Sequence, residues 1–80
     1  MEIPKQKPIE QYFADFSIAD PDAKVKLLPE ITEIIYDRNV YVVEAEKEAE
    51  EYKKNQILND VTEMDNKIKE IINDFLSENQ

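Results

Sequence analysis

The sequence predicts a mainly α-helical protein, with short N-terminal helices followed by one long C-terminal helix that carries a coiled-coil-like or bundle seam. Large apolar residues in the last third recur at alternating spacings of four and three, which places them on one stripe of a helix. The segment before them, residues 44–51, reads EAEKEAEE and favours helix while offering little to bury. Nearer the N-terminus, Asp20-Pro21-Asp22 is typical of a helix start and precedes apolar residues at helical spacing.

The composition excludes most ways of stabilising a chain of this size. Its 80 residues allow one small domain with a marginal core, and such domains often depend on disulfides, metals or oligomerisation. With no Cys and no His, the chain lacks disulfides, thiolate metal sites and the commonest general base. With no Gly, it lacks P-loop and dinucleotide-binding motifs, and turns that need a positive φ must use Asn or Asp. Oligomerisation is the remaining stabilising device.

The net charge of -9, from 19 acidic and 10 basic residues, limits the partners of the chain. It disfavours direct binding to a nucleic-acid backbone or to an anionic membrane surface. We expect no membrane span, because no apolar run is long enough, and no signal peptide, because the N-terminus has no apolar h-region. The lack of Cys fits a cytoplasmic location. The acidic surface either only keeps the protein soluble or meets a basic partner by imitating nucleic acid.

Residues 1–10 are predicted to form an extended N-terminal arm. Pro4 and Pro8 fix their own φ angles and favour extended conformations in the residues before them. Lys5 and Lys7 give the arm a local positive charge on an acidic protein. We therefore expect the arm to be mobile or to lie across an acidic surface of a neighbouring copy.

Residues 11–43 are predicted to form a small helical segment. A short helix that ends near Phe16 leads into this segment, and Pro8, in the arm, suits the first helical position. The large apolar residues here either pack on the chain's own core or dock on a neighbouring subunit or partner. These candidate partner-binding residues are Tyr12, Phe13, Phe16 and Ile18.

The next helix is predicted to start at Asp20, which can cap it, with Pro21 at the first helical position. Pro29 interrupts its pattern and either kinks this helix or begins another directly after Leu28. The apolar residues at helical spacing are Val25, Leu27, Leu28, Ile31, Ile34 and Ile35.

Residues 31–43 fit two structures. The β-branched and aromatic runs at 34–36 and 40–43 favour strands, and residues 37–39 could form the loop of a β-hairpin with Asn39 left-handed. The same residues fit a helix, a turn at 37–39 and then the long helix, which is the version we favour. The long helix then begins near Asn39 or Val40, and in the hairpin version it begins near Glu44.

Residues 44–80 are predicted to form the long C-terminal helix, roughly 50 Å long at ~1.5 Å per residue. A compact domain of this chain length has a radius of gyration near ~12 Å. We therefore expect that the chain's own residues cannot cover this helix and that it binds a partner.

The apolar stripe of this helix is the candidate partner-binding seam. With Val61 at heptad position a, the a and d positions are Ile57, Val61, Met64, Ile68, Ile71 and Phe75. Leu58 and Ile72 at position e widen the stripe, which is typical of a bundle. The stripe either packs on helices of the same chain or mediates self-association or heteromeric pairing.

An acidic face precedes the stripe and consists of Glu44, Glu46, Glu48, Glu50 and Glu51. It is either a solvent-bridging spacer or a contact for a basic partner.

No residue set in the sequence predicts catalysis, a metal site or a cofactor. The carboxylates of residues 59–66 lack the spacing and the Gly of an EF-hand loop, and the core is too small for a deep carboxylate-lined pocket. We expect a non-enzymatic protein–protein interaction module that associates through residues 57–76, as an oligomer or an assembly component, with no small-molecule substrate. The alternative is an acidic inhibitor, either a nucleic-acid mimic or an antitoxin- or phage-type regulator, that blocks a basic partner protein.

Overall fold

The computed structural model describes residues 2–78 and contains three α-helices. They are α1 (Ile9–Asp15), α2 (Pro21–Lys47) and α3 (Glu51–Glu78), and the described residues include no strand. The predicted mainly α class is therefore confirmed.

The start of α2 agrees with the sequence prediction. Asp20 is the N-cap, its side-chain Oδ1 accepts a hydrogen bond of 3.1 Å from the backbone N–H of Asp22, and Pro21 is the first helical residue. Pro29 does not divide the helix, although it removes the N–H that would bond the carbonyl of Val25. Val25 is 65% exposed, so water can replace the missing donor on this side of α2.

The β-hairpin considered for residues 31–43 is wrong, because all of these residues lie within α2. The favoured turn at residues 37–39, with a long helix from Asn39 or Val40, is wrong for the same reason. Ile31, Ile35 and Val42 share one helical face and are buried together. Burial along this face outweighs the strand preference of β-branched and aromatic residues, which reflects packing more than backbone preference. Asn39 accordingly has a helical rather than a left-handed backbone.

The predicted long helix of residues 44–80 is divided in the structure. Residues 44–47 end α2, the chain reverses over residues 48–50, and α3 begins at Glu51. The Glu48 carboxylate accepts a hydrogen bond of 3.1 Å from the backbone N–H of Glu50, and the Glu50 carbonyl accepts one of 2.9 Å from Lys54. A glutamate thus replaces the usual turn residues, which hides this turn from the sequence. Residues 79 and 80 lie outside the described part.

Two helices of similar length, 27 and 28 residues, form an antiparallel hairpin that dominates the molecule. The expectation that the chain cannot cover its own long helix is wrong, because α2 covers one face of α3 along its length. The molecule measures 45 × 19 × 18 Å and has a radius of gyration of 13.9 Å, so it is longer than a compact domain of its size. The main core cluster comprises Tyr12, Phe13, Ile18, Leu27, Ile31, Ile35, Ile68 and Ile72.

The connection from α1 to α2 contains a left-handed serine. Ser17 has φ 57°, while its N–H donates to Ala14 and the N–H of Ile18 donates to Phe13. These two bonds form a Schellman motif, in which Ile18 and Phe13 also pack together in the core. Asn or Asp was expected at positive φ, whereas Ser17 is the residue with positive φ in the described chain.

Candidate functional site

The structure divides the predicted seam of α3 between the interior and the surface. Leu58, Val61, Ile68 and Ile72 are buried within the chain. The intramolecular face of α3 is therefore built from a and e positions rather than from a and d positions. The remaining residues of the predicted seam are half-buried, and these are Ile57, Met64, Ile71 and Phe75.

The apolar residues around α1 belong mostly to the interior. Tyr12, Phe13 and Ile18 are buried in the core, and Phe16 is half-buried against it. The structure thus agrees with the first of the two interpretations of this segment, that it packs on the chain's own core. Tyr12, Phe13 and Ile18 are therefore not available to a partner while α1 is docked.

An ion pair between the buried Arg38 and the half-buried Asp65 joins the three helices at the middle of the hairpin. Arg38 is 4% exposed, its Nε donates to Asp65 Oδ1 at 3.0 Å, and its Nη2 lies 3.3 Å from Asp65 Oδ2. The Tyr12 hydroxyl donates to the same Asp65 Oδ1 at 2.7 Å. Burial first, and then the Asp65 hydrogen bond, raise the pKa of the Tyr12 phenol above its ordinary value.

The same arginine holds the N-terminal arm in place. Arg38 Nη1 donates to the carbonyl of Lys5 at 2.7 Å and to Asn39 Oδ1 at 2.8 Å. The Asn39 amide forms a two-way pair with the backbone of Lys7, accepting at 2.9 Å and donating at 2.8 Å. The arm is therefore hydrogen-bonded to α2 of its own chain at residues 5 and 7, a contact that the sequence did not predict.

The Lys7 side chain also joins the arm to α1. Its ammonium pairs with Asp15 and lies 4.2 Å from the centre of the Tyr12 ring. The hydrogen bond from Lys7, and then one from Gln11, lower the pKa of the Asp15 carboxyl. The positive charge of Lys7 is thus paired within the chain.

Sequence reasoning did not find the Arg38–Asp65 pair, although a signal was present. Arg38 follows Ile35 by three residues and precedes Val42 by four, which places it on the buried face of α2. Asp65 lies seven residues from both Leu58 and Ile72, so it shares their e positions on α3. A positive and a negative residue interrupting two facing apolar stripes indicate a buried pair.

One side of the hairpin is not covered by any further helix within residues 2–78. Tyr12 contacts the e position of Asp65, so α1 lies on the e flank of α3 and the d positions lie on the opposite flank. On that opposite flank, Met64 of α3 and Ile34 and Tyr41 of α2 line a depression of about 390 Å³. We call this flank the open side.

The open side continues toward the end of α3. A second depression of about 250 Å³ is lined by Ile71 and Phe75 of α3 together with Glu30 of α2. The two depressions follow each other along the antiparallel helices, because Glu30 precedes Ile34 by one turn and Ile71 follows Met64 by two. Together they form a shallow groove with an apolar floor. Its charged lining consists of Glu30, Asp60, Glu63, Lys67, Asp74 and Glu78.

A further depression, of about 480 Å³, lies where the α1–α2 connection meets the end of α3. Its charged lining residues, Asp20, Asp22 and Lys26, are all exposed, and Asp20 serves as the helix cap. Small-molecule pockets instead fix their ligands with a few polar groups set in a concave apolar site. We therefore place the candidate site on the open side.

The predicted acidic face forms one end of the hairpin. Glu44 and Glu46 lie in the last turns of α2, while Glu48, Glu50 and Glu51 surround the reversal. Glu50 pairs with Lys53 at 3.4 Å and Glu51 with Lys54 at 3.8 Å. Two of the five glutamates are thus in surface ion pairs, and with Lys47 nearby this end keeps a small net negative charge.

Comparisons with family models, with curated proteins and with solved structures find no match for the chain. Within residues 2–78, no helix combines the length and the apolarity needed to cross a bilayer. The function is therefore argued from the geometry of the described residues.

Proposed function

We propose that the protein is a non-enzymatic protein–protein interaction module and that the open side is its docking surface. The observation that carries this proposal is the position of the α3 d residues. Met64 is half-buried beside Ile34 and Tyr41, and Ile71 is half-buried two turns further along α3, so apolar surface remains partly in contact with water after the chain has folded. Contiguous apolar surface of this kind, rimmed by polar residues, is typical of interaction sites.

The partner in this proposal is protein, through self-association or heteromeric assembly. A helix laid along the groove would complete a bundle, since it would cover the d positions that α2 and α1 leave half-buried. The proposal includes no cofactor, no small-molecule substrate, and no direct contact with nucleic acid or membrane.

The acidic end of the hairpin favours a second candidate function. Five glutamates between residues 44 and 51 lie around one reversal of the chain. Such a surface fits an acidic inhibitor, either a nucleic-acid mimic or an antitoxin- or phage-type regulator, that blocks a basic partner protein.

Site-specific photo-cross-linking inside cells tests the two candidates. A photoreactive amino acid is placed at Met64 on the open side, at Glu46 on the acidic end, or at Asn73, an exposed f position facing away from the groove. We expect a defined covalent adduct, with a second copy or with another protein, from position 64 and none from position 73. No adduct from any position, or equal adducts from 64 and 73, would overturn the proposal. An adduct from position 46 alone, lost steeply with added salt, would support the inhibitor instead.

A further inference from the structure

We infer that the occupant of the open side is a cationic amphipathic helix, about 18 residues long, supplied by a partner protein. This inference rests on the proposed function, because it specifies what docks at the proposed surface. It is carried by three features of the groove, namely its apolar floor, the sign of its charged lining and its length.

The floor of the groove fits the apolar face of one helix. Ile34 and Tyr41 are two turns apart on α2, and Met64 and Ile71 are two turns apart on α3. All four are half-buried; Met64 lines one depression with Ile34 and Tyr41, and Ile71 lines the adjoining one with Glu30 of α2. A helix lying between two such rows places residues at i, i+3, i+4 and i+7 against them.

The charged lining of the groove is mostly negative. Along the two depressions lie five carboxylates, those of Glu30, Asp60, Glu63, Asp74 and Glu78, against the single ammonium of Lys67. No ion pair within the described residues joins any of these six side chains to another group. Lys and Arg residues on both edges of a docked helix would complement this lining.

The length of the groove sets the length of the helix. The lining extends along α3 from Asp60 to Glu78, which corresponds to roughly 27 Å at ~1.5 Å per residue. A partner helix of about five turns spans this distance.

The same charges disfavour a second copy of the chain as the occupant. A symmetric contact through the open side would bring the carboxylate-rich linings of the two copies face to face, and these linings would repel each other. The net charge of -9 on each copy adds repulsion at longer range. A basic helix removes both penalties.

The test uses the full chain and three synthetic 18-residue peptides. The first is a Leu–Lys peptide with Leu at i, i+3, i+4 and i+7, the second has the same Leu stripe with Glu in place of Lys, and the third is a scrambled Leu–Lys peptide of identical composition. Binding is measured by calorimetry, and the site is located by NMR chemical-shift changes. We expect the amphipathic Leu–Lys peptide to bind at the open side and the other two to bind at least about tenfold more weakly.

Variants of the chain separate groove binding from general attraction to an acidic protein. Met64→Glu should weaken the Leu–Lys peptide about tenfold or more. The double variant Glu63→Gln/Asp74→Asn should weaken it and flatten its salt dependence. Glu10→Gln/Glu46→Gln removes the same charge from exposed positions outside the groove and should change the affinity little. Circular dichroism melts confirm that each variant is folded.

Three results would overturn the inference. One is equal affinity for the amphipathic and the scrambled Leu–Lys peptides, another is tight binding of the Leu–Glu peptide, and the third is equal weakening by the two double variants. If one of these occurred while position 64 still gave a specific cross-link, the open side would remain a docking surface with a different occupant. Loss of the cross-link itself would remove the proposed function.

Discussion

At the scale of single residues, the Arg38–Asp65 pair is the feature on which the middle of the molecule depends. Arg38 is almost fully buried, and three elements converge on it: the arm through Lys5, α3 through Asp65, and α1 through the Tyr12 bond to the same carboxylate. A buried charge of this kind is tolerated because each of its three guanidinium nitrogens donates to an acceptor.

We predict that Asp65→Asn lowers the free energy of unfolding by about 2–3 kcal/mol, because it leaves a buried guanidinium without a counter-charge. We expect a smaller loss of unfolding free energy than for a fully buried pair, because the Asp65 side chain is 38% exposed and water can reach the site. Urea denaturation measures the change. Asp60→Asn, the same substitution at an exposed position of α3, should stay within about 0.5 kcal/mol of wild type. Similar losses in the two variants would contradict the assignment.

The second residue-scale prediction concerns alkaline pH. Since burial and the Asp65 bond raise the pKa of Tyr12 in the folded chain, its contribution to stability is complete below about pH 10 and is lost as pH rises above that value. Between about pH 10 and the folded-state pKa, this group should lower the unfolding free energy by up to about 1.4 kcal/mol per pH unit.

Removing the phenol should remove that slope. Tyr12→Phe should lose about 1 kcal/mol at neutral pH, through the lost hydrogen bond, and should then decline less steeply than wild type above about pH 10. Tyr36→Phe, at a position that is 68% exposed, is the matched control and should keep the wild-type slope. Urea melts at about pH 8 and about pH 11 compare the three proteins. Identical slopes in both variants would show that Tyr12 ionises normally.

At the scale of the elements, the sequence predicts each helix better than it predicts where two of them meet. The cap at Asp20, the short helix before Phe16 and the apolar stripe of α3 follow from local rules and are confirmed in the structure. The reversal at residues 48–50 does not follow from local rules, because its residues are all good helix formers. The turn is instead stabilised by the hydrogen bond from the backbone N–H of Glu50 to the Glu48 carboxylate. Local propensity cannot reveal a turn that tertiary packing imposes.

The register of the α3 seam shows the same limit. The a and d spacing correctly marks an apolar face, yet the interior takes the a and e positions because α1 and the half-buried Asp65 lie on the e flank. Which edge of a wide stripe is covered depends on what packs beside it. The candidate site on the open side is therefore a consequence of tertiary structure, and only its individual residues were visible in the sequence.

The element-scale prediction concerns the end of α1. Ser17→Gly should raise the free energy of unfolding by about 0.5–1 kcal/mol, because Gly has no Cβ to disfavour the left-handed conformation that the Schellman motif requires. This gain is the difference between two free energies: the backbone strain that is relieved in the folded chain, and the larger conformational entropy that Gly gives the unfolded chain. Ser17→Ala retains a Cβ and should not stabilise the protein. Thermal and urea melts of both variants measure the effect, and a gain in the Ala variant would contradict this explanation.

At the scale of the whole molecule, net charge acts in opposite directions on the free chain and on its complex. A charge of -9 on 80 residues destabilises the compact state by self-repulsion, and the acidic end and the open side concentrate that repulsion. Added salt should therefore stabilise the free chain. The same salt should weaken a basic helix bound in the groove, because it screens the attraction that selects this partner.

We predict that raising NaCl from about 20 mM to about 300 mM increases the Tm of the free chain by a few degrees, which corresponds to less than about 1 kcal/mol for a domain of this size. Over the same range, the affinity for the Leu–Lys peptide should fall. Differential scanning calorimetry measures the change in Tm, and titration calorimetry measures the change in affinity.

In the Glu63→Gln/Asp74→Asn variant both changes should become smaller together, because the same carboxylates repel one another in the free chain and attract the peptide in the complex. If the Tm instead falls with salt, the attraction within the Arg38–Asp65 and Lys7–Asp15 pairs outweighs the repulsion between carboxylates. In that case, relief of carboxylate repulsion would not explain why a basic partner binds.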